Sequence, residues 1–351
     1  MAQIAWSEII KYMQTQMTRS AAATSDGGYV VVGDGQDASI PNRGVIVKVI
    51  TDPGLGIAWE KAYGGKFANL FRGVAELKDG TLVATGISFY SGISGDENIW
   101  VVKMDKDGNK LIDKTFGNQG EQDDGLAVAA TSDGGFIVCG LALAKADNIP
   151  SIWVLKFASD CTLMWEKKFP GKYAYDIIQT SDGGFMLSGG SPIQASLNSN
   201  IYVLKLDAKG NKVWEKTYDQ QVYVMLASGI TETMDKGFVL ACKGFVMKID
   251  KSGAVIYSQN YPECSLNSVV ELPDGQLFAG GSALDDFNFD HAYVMAMNAS
   301  GKRTWDNTSL LPTGWVATVL TNNYFPYVAA GSIPQDSFHD DMFICNFRPT
   351  A

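Results

Sequence analysis

The stretch T-S-D-G-G-F at Thr131–Phe136 returns letter for letter at Thr180–Phe185, and T-S-D-G-G-Y stands at Thr24–Tyr29. A segment repeated along a chain constrains the fold strongly, because every copy must solve the same packing problem. Aligned on its aspartate, the motif occurs at Asp26, Asp79, Asp133, Asp182, Asp235 and Asp274. The intervals are 53, 54, 49, 53 and 39 residues, and a seventh, eroded copy stands at Thr321-Asn322-Asn323.

Each copy contains four short runs. An alternating run such as Ala174–Thr180 precedes the motif, and a β-rich run ending in Gly follows it (Phe136–Gly140, Phe185–Gly189). Then comes I-W-V-V-K-M-D at Ile99–Asp105, echoed by I-W-V-L-K-F and I-Y-V-L-K-L, and last L-M-W-E-K-K-F at Leu163–Phe169, echoed by V-W-E-K-T-Y. Val, Ile, Trp and Tyr at period two between turn residues predict strands. Four strands in a repeat of this length predict a propeller blade. Ile4–Ile10 has the fourth-run pattern ahead of the first motif, and Met342–Phe347 has the third-run pattern with no fourth after it. The expectation is an all-β, seven-bladed β-propeller of four-stranded antiparallel blades, the ring closed by the N-terminal strand completing the last blade. It would be a single domain over residues 1–351, with 1–11 as outer strand of the last blade and blades beginning near 20, 71, 124, 173, 225, 265 and 313.

The string W-E-K-x-[YF]-G-G, then T-S-D-G-G-[YF]-[IV]-V-x-G, then a W/Y-V-L/V-K-L/M-D-x-x-G-N run resembles a widespread group of bacterial and archaeal repeat propellers. Many of these are uncharacterised secreted proteins or lipoproteins. The resemblance covers nearly the whole chain and implies the fold. It transfers no catalytic residue, because the repeated motif is structural.

The motif invites a site reading, since aspartate beside glycine builds phosphate and calcium loops. Its variants argue for a turn instead. Pro273 or Lys78 precedes the Asp, Gly usually follows it, and the second Gly becomes Thr81 or Gln276. That is a hairpin turn with glycine in the left-handed region, and no G-K-[ST] follows to make a P-loop. D-K-D-G-N at Asp105–Asn109 reads likewise as a turn, because its counterparts keep only the leading Asp or Asn and the Gly. Lys48, Lys103, Lys156, Lys205 and Lys248 share one position of the third run, and Glu60, Glu166 and Glu215 follow the fourth-run tryptophans. These are expected to pair as a cross-strand ladder, with Trp59, Trp165 and Trp214 packing between blades.

Net charge of −10 disfavours nucleic acid and anionic membrane surfaces, and no apolar run is long enough to span a bilayer. The start M-A-Q-I-A-W-S-E-I-I lacks signal-peptide character, so the expected address is cytoplasmic if Met1 is the native start, and extracellular or cell-surface for a processed form. Cys139, Cys161, Cys242, Cys264 and Cys345 are odd in number and without C-x-x-C, which favours reduced buried thiols, a Cys161–Cys264 bridge being the alternative.

Function is sought where the repeat stops repeating. The second-to-third-strand connections are long at 34–44, 87–98, 141–151, 190–200, 282–290 and 332–340, and nearly absent at Lys243-Gly244, where a notch is expected. D-D-F-N-F-D-H at Asp285–His291 and D-S-F-H-D-D at Asp336–Asp341 hold both histidines of the chain. The candidate ligand-binding residues are Phe89, Tyr90, Asp286, Phe287, Phe289, His291, Trp315, His339 and Asp340. Exposed aromatics among acids suit protein or glycan recognition. No catalytic residue, cofactor or metal is expected. The D-x-N-x-D spacing of Asp286, Asn288 and Asp290 leaves calcium as an alternative, although it lacks the following Gly and a distal Glu. The reading is a non-catalytic binding module for a protein or glycan, without nucleic acid or membrane insertion. The alternatives are a glycan-active hydrolase or lyase using carboxylates such as Asp123, Asp124, Asp286 and Asp340, or a structural part of a larger assembly.

Overall fold

The computed structural model describes residues 2–11, 15–37, 40–51, 56–90, 95–118, 120–144, 149–192, 198–223, 229–284, 290–307, 314–321, 327–334 and 340–349. The ordered elements among them are strands. In chain order these are β1 (Ala2–Ile10), β2 (Thr15–Ala23), β3 (Tyr29–Asp37), β4 (Ile40–Ile50), β5 (Gly56–Tyr63), β6 (Asn69–Glu76), β7 (Leu82–Phe89), β8 (Glu97–Met104) and β9 (Lys110–Phe116). Next come β10 (Gln122–Ala130), β11 (Phe136–Leu143), β12 (Pro150–Phe157), β13 (Leu163–Pro170), β14 (Tyr173–Gln179), β15 (Phe185–Pro192), β16 (Asn198–Leu206) and β17 (Lys212–Tyr223). The last are β18 (Gly229–Glu232), β19 (Phe238–Ile249), β20 (Val255–Glu271), β21 (Leu277–Leu284), β22 (Asp290–Met297), β23 (Arg303–Asn307), β24 (Trp315–Leu320), β25 (Val328–Pro334) and β26 (Asp340–Pro349). Among the described residues no helix is long and apolar enough to cross a membrane.

Two compact units share the chain: Met1–Val31, Lys48–Ala58 and Leu226–Ala351 form one, Val32–Val47 and Trp59–Met225 the other. Seven separate blades, as the repeat count predicts, are not what the hydrogen bonding produces. The strands gather into five sheets of four, eight, four, six and four strands. Four of these sheets lie whole within one unit or the other, a four-blade propeller-like arrangement, and the strands of the fifth (β2 to β5) divide between the units. The repeats over-count because two boundaries are bridged. A parallel bridge, Gln122↔Glu97, joins β10 to β8 and makes an eight-stranded sheet. β20 pairs with β19 through Val255–Asn260 and with β21 through Cys264–Glu271, so one long strand belongs to two repeats. A turn motif counts hairpins, whereas a sheet is counted by its unbroken ladder. The N-terminal β1 pairs antiparallel with the C-terminal β26, Ile10 opposite Met342.

Burial follows the strand period. In β11, Phe136 and Val138 pack with Val83, Val101, Trp153 and Phe157, while Ile137 and Cys139 pack with Phe185, Leu187 and Tyr202. Both faces of such a strand are apolar, each fully buried large side chain contributing roughly 1.5–3 kcal/mol. The outer strands read differently: Leu111, Leu163 and Val213 remain exposed near the starts of β9, β13 and β17. Ring packing links consecutive repeats, as expected for the tryptophans. Trp59 Nε1 donates to the Lys106 carbonyl at 3.1 Å, and a side chain at Gly108 or Gly210 would collide with Trp59 or Trp165 respectively.

The repeated motif is a turn between the first two strands of each repeat. Gly134 N donates to Thr131 O and Thr131 N to Gly135 O, both at 2.9 Å, with Gly134 at φ 87°. Its aspartate does more than the sequence indicates. Asp133 Oδ1 accepts from Thr131 Oγ1 at 2.5 Å and Gly135 N at 3.0 Å, and Oδ2 lies 2.9 Å from Lys156 Nζ. Lys48–Asp26, Lys103–Asp79, Lys205–Asp182 and Lys248–Asp235 repeat the pair. The expected Lys–Glu ladder is therefore wrong. Leu155 stands opposite Glu166 and Lys156 opposite Trp165, so lysine and glutamate occupy opposite faces of the sheet. Two of the three glutamates take aromatic donors instead: Trp153 Nε1 to Glu166 at 2.9 Å and Tyr202 OH to Glu215 at 2.5 Å. A side chain at Gly135 would crowd the Phe157 carbonyl and Lys156 Nζ, although Thr81 holds this position in the repeat where Lys103 pairs with Asp79. Gln276 stands there in the repeat where Ala296 replaces the lysine.

All five cysteines are free and buried, so Cys161 and Cys264 form no bridge. Burial pushes the thiols of Cys139, Cys242 and Cys345 far up, and that of Cys264 up to about 12. A water-soluble disulfide reagent at pH 8 should find no rapidly reacting thiol in the native protein and five after denaturation. Fast native labelling of even one thiol would contradict this burial.

Candidate functional site

The expected ligand-binding residues divide between the two units. Phe89 ends β7, half-buried and opposite Glu97, and the backbone N–H of Tyr90, 56% exposed, donates to the Asp96 carbonyl at 3.0 Å. In the other unit His291, Trp315 and Asp340 sit at the starts of β22, β24 and β26, all half-buried. Gly314 N donates to Asp290 O at 3.0 Å, which draws the first two of these starts together. Asp286, Phe287, Asn288, Phe289 and His339 lie outside the described residues. Phe71 is a core residue stacked on Trp100 at 4.5 Å.

A denser cluster of chemistry lies where β10 meets β8. Among the described residues, ten buried side-chain N or O atoms lack a hydrogen-bond partner, and four fall here: Glu97 Oε2, Asn98 Oδ1, Asp123 Oδ1 and Asp124 Oδ1. All are acceptors when the carboxyls are ionised, and a buried acceptor without a donor costs about 1–3 kcal/mol. Asp123 is 0% exposed, Glu97 5% and Asn98 9%.

Register sorts these residues onto two faces, because side chains opposite each other share a face and successive ones alternate. Phe89 is opposite Glu97, and Glu97 bridges Gln122, so Phe89, Glu97, Gln122 and Asp124 share one face. Gln122 Nε2 donates to Asp124 Oδ2 at 3.3 Å, and Gly95 N to Glu97 Oε1 at 3.0 Å. Ser88, Asn98 and Asp123 take the other face. There Asp123 Oδ2 accepts from Asn118 N at 3.2 Å, and a side chain at Gly117 (φ 145°) would collide with both Asn98 and Asp123. Asn69 holds the matching position one repeat earlier, accepting from Gly65 N at 2.8 Å. Asp123 is thus a turn clamp with a carboxylate where the earlier repeat uses a neutral amide.

Burial pushes Asp124 up to about 6, aided by the like charge of Glu97 and opposed by the Gln122 amide and Arg72. Burial also pushes Asp123 up to about 6, against the Asn118 N–H and Lys168. Lys168 itself lies 4.1 Å from the Trp153 ring centre. A β-bulge at Gly125/Ala127 ends the irregular stretch and seats the Asp124 carbonyl against Gly140. Sequence reasoning named Asp123 and Asp124 only as possible enzyme carboxylates and missed Glu97 and Asn98. The signal was there in the repeat alignment: the Asp123 and Asp124 positions carry Asn69 and Leu70 in one neighbouring repeat and Lys172 and Tyr173 in the other. Among the described residues no three metal-ligating side chains converge as a metal site.

No protein-family model and no curated protein matches the chain. A protein of unknown function from Bacteroides caccae, known from a crystal structure, is similar in fold with a TM-score of 0.51 and 12% identity, over 83% of this chain and 97% of that one. The chain thus has a propeller-like all-β fold. The narrower T-S-D-G-G repeat family has no matching family model behind it.

Proposed function

We propose that this chain is a non-catalytic binding module for a protein or glycan ligand, held over the starts of β8 and β10 beside Phe89 and Tyr90. The observation that carries this reading is the pair of buried acceptor oxygens without donors on the Phe89 face, Glu97 Oε2 and Asp124 Oδ1. A ligand bearing N–H or O–H groups supplies what they lack. Asp123 and Asp124, adjacent on one strand, face opposite ways, which argues against their acting together across one scissile bond. The second reading, a glycan-active hydrolase, draws support from the carboxyl of Asp124 at about 6 with Glu97 on its face, a value suited to a general acid. Thermal-shift screening of basic peptides and neutral oligosaccharides, with product analysis by mass spectrometry, separates the two. Phe89→Ala should weaken the ligand found at least about fivefold, with no product formed. Product formation abolished by Asp124→Asn would establish the enzyme instead.

A further inference from the structure

We propose that the face formed by Phe89, Glu97, Gln122 and Asp124 takes a cationic nitrogen group, the guanidinium or ammonium of a basic protein segment. The inference rests on the binding reading above and specifies its ligand. Glu97 is 5% exposed, yet its Oε2 has no donor, and Asp124 Oδ1 on the same face has none either. A hydroxyl could donate to one such oxygen, but it would bring no charge to offset two neighbouring carboxylates, one of them buried. Between residues 96 and 124 the junction gathers Asp96, Glu97, Glu121, Asp123 and Asp124, and the cations acting on Asp123 and Asp124 are Lys168 and Arg72 respectively.

A single metal ion fits less well. Oxygen-ligated cations need many oxygens converging on one point, whereas the four orphaned acceptors are split between two faces. A guanidinium carries five donors in a plane and suits carboxylate pairs. The aromatic edge fits as well, since Phe89 is directly opposite Glu97 and Tyr90 is exposed next to it, both able to lie against a cation. Protons compete for the same oxygens. The charged groups acting on Asp124 are Glu97 from β8, Arg72 from β6 and Asp123 beside it, and with its carboxyl at about 6 Asp124 is largely protonated at pH 5. A cation must displace that proton, so affinity should rise with pH through 6.

The test is fluorescence anisotropy with a fluorescein-labelled hexapeptide of alternating glycine and arginine, at pH 5.0 and 7.5. Calcium chloride and neutral oligosaccharides serve as separate arms read by thermal shift. The expected result is peptide binding at pH 7.5 that weakens about tenfold at pH 5.0, one protonated carboxyl being enough for that factor. Asp124→Asn and Glu97→Gln should each weaken binding about tenfold or more, and Asp124→Asn should remove most of the pH dependence. Asp107→Asn, an exposed turn acid, is the control for non-specific attraction and should change binding less than twofold. Loss in all three variants alike, or no peptide binding at either pH, overturns the inference. An oligosaccharide whose binding needs Asp124, with the peptide inert, overturns it while leaving the binding module intact. A ligand-free outcome in every arm, with unchanged melting in all variants, defeats both.

Discussion

Gly140→Val is expected to cost about 3 kcal/mol or more of unfolding free energy, the level of severe overpacking against backbone. Gly140 has no left-handed backbone to explain it. It is required because the strand beside it is bulged: Gly125 pairs with Gly140, the register shifts before Ala127, and the Asp124 carbonyl presses where a Cβ would stand. That neighbour is backbone held in a ladder, so it cannot swing aside as a long side chain would. Gly86, Gly189, Gly281 and Gly331 meet the carbonyls of Leu70, Tyr173, Ser265 and Trp315 in the same way. Urea denaturation should show a large fall in midpoint, whereas Gly134→Ala, in open space but at φ 87°, should lose only about 1–2 kcal/mol. Equal midpoints for Gly140→Val and the parent protein would refute the close-packing account. The same bulge aims Asp124, so a milder Gly140→Ala protein that folds should bind ligand poorly.

Stability should peak in mildly acid solution rather than at neutral pH. Two sets of carboxyls act in opposite directions. At Asp26, Asp133, Asp182 and Asp235, burial alone would raise the carboxyl, but donors from lysine, threonine and the glycine N–H outweigh it and hold each at about 2. A depressed folded value stabilises above the unfolded value of 3.8 and loses that contribution as pH falls towards 2. These side chains are more than half exposed, so about 1 kcal/mol each is a fair allowance after screening. Asp123 behaves oppositely. Burial raises it from 3.8 to about 6, so its contribution is present below 3.8 and lost as pH rises through 6, a difference of about 3 kcal/mol for a fully buried group.

The expected curve therefore falls below pH 4 and falls again between pH 4 and 7. Asp123→Asn copies the solution used at Asn69 and should raise stability by about 2 kcal/mol at pH 7.5, making the upper limb shallower, with Asp124 still contributing to it, and leaving the lower one untouched. Guanidinium melts from pH 2.5 to 8 would read both limbs. A destabilised Asp123→Asn protein at pH 7.5 would show instead that the ionised carboxylate holds the turn better than an amide does.

Much of the local structure was legible in residues alone. The period-two runs, the turn at each Asp-Gly and the packing of Trp59 over the next repeat all depend on neighbours close in sequence or one repeat away. The partner of each lysine was not legible. Lys156 reaches Asp133, 23 residues back, because the third strand returns beside the turn, while Glu166, ten residues on, faces away. The candidate site was half legible: Phe89, Tyr90, Asp123 and Asp124 were visible as departures from the repeat, but their grouping was not. Glu97 and Asp124 are ordinary surface residue types in a string.

The sequence by itself determined the strands, their antiparallel hairpins and an acidic chain, because side-chain period, turn stereochemistry and charge are local properties. Only the tertiary structure decided how many sheets those strands make and where unsatisfied acceptors collect. The parallel bridge between Glu97 and Gln122 merges two repeats into one sheet and places Glu97 and Asn98 beside Asp123 and Asp124. Which strand edges meet is a matter of packing between repeats, and nothing in either repeat's own pattern specifies it.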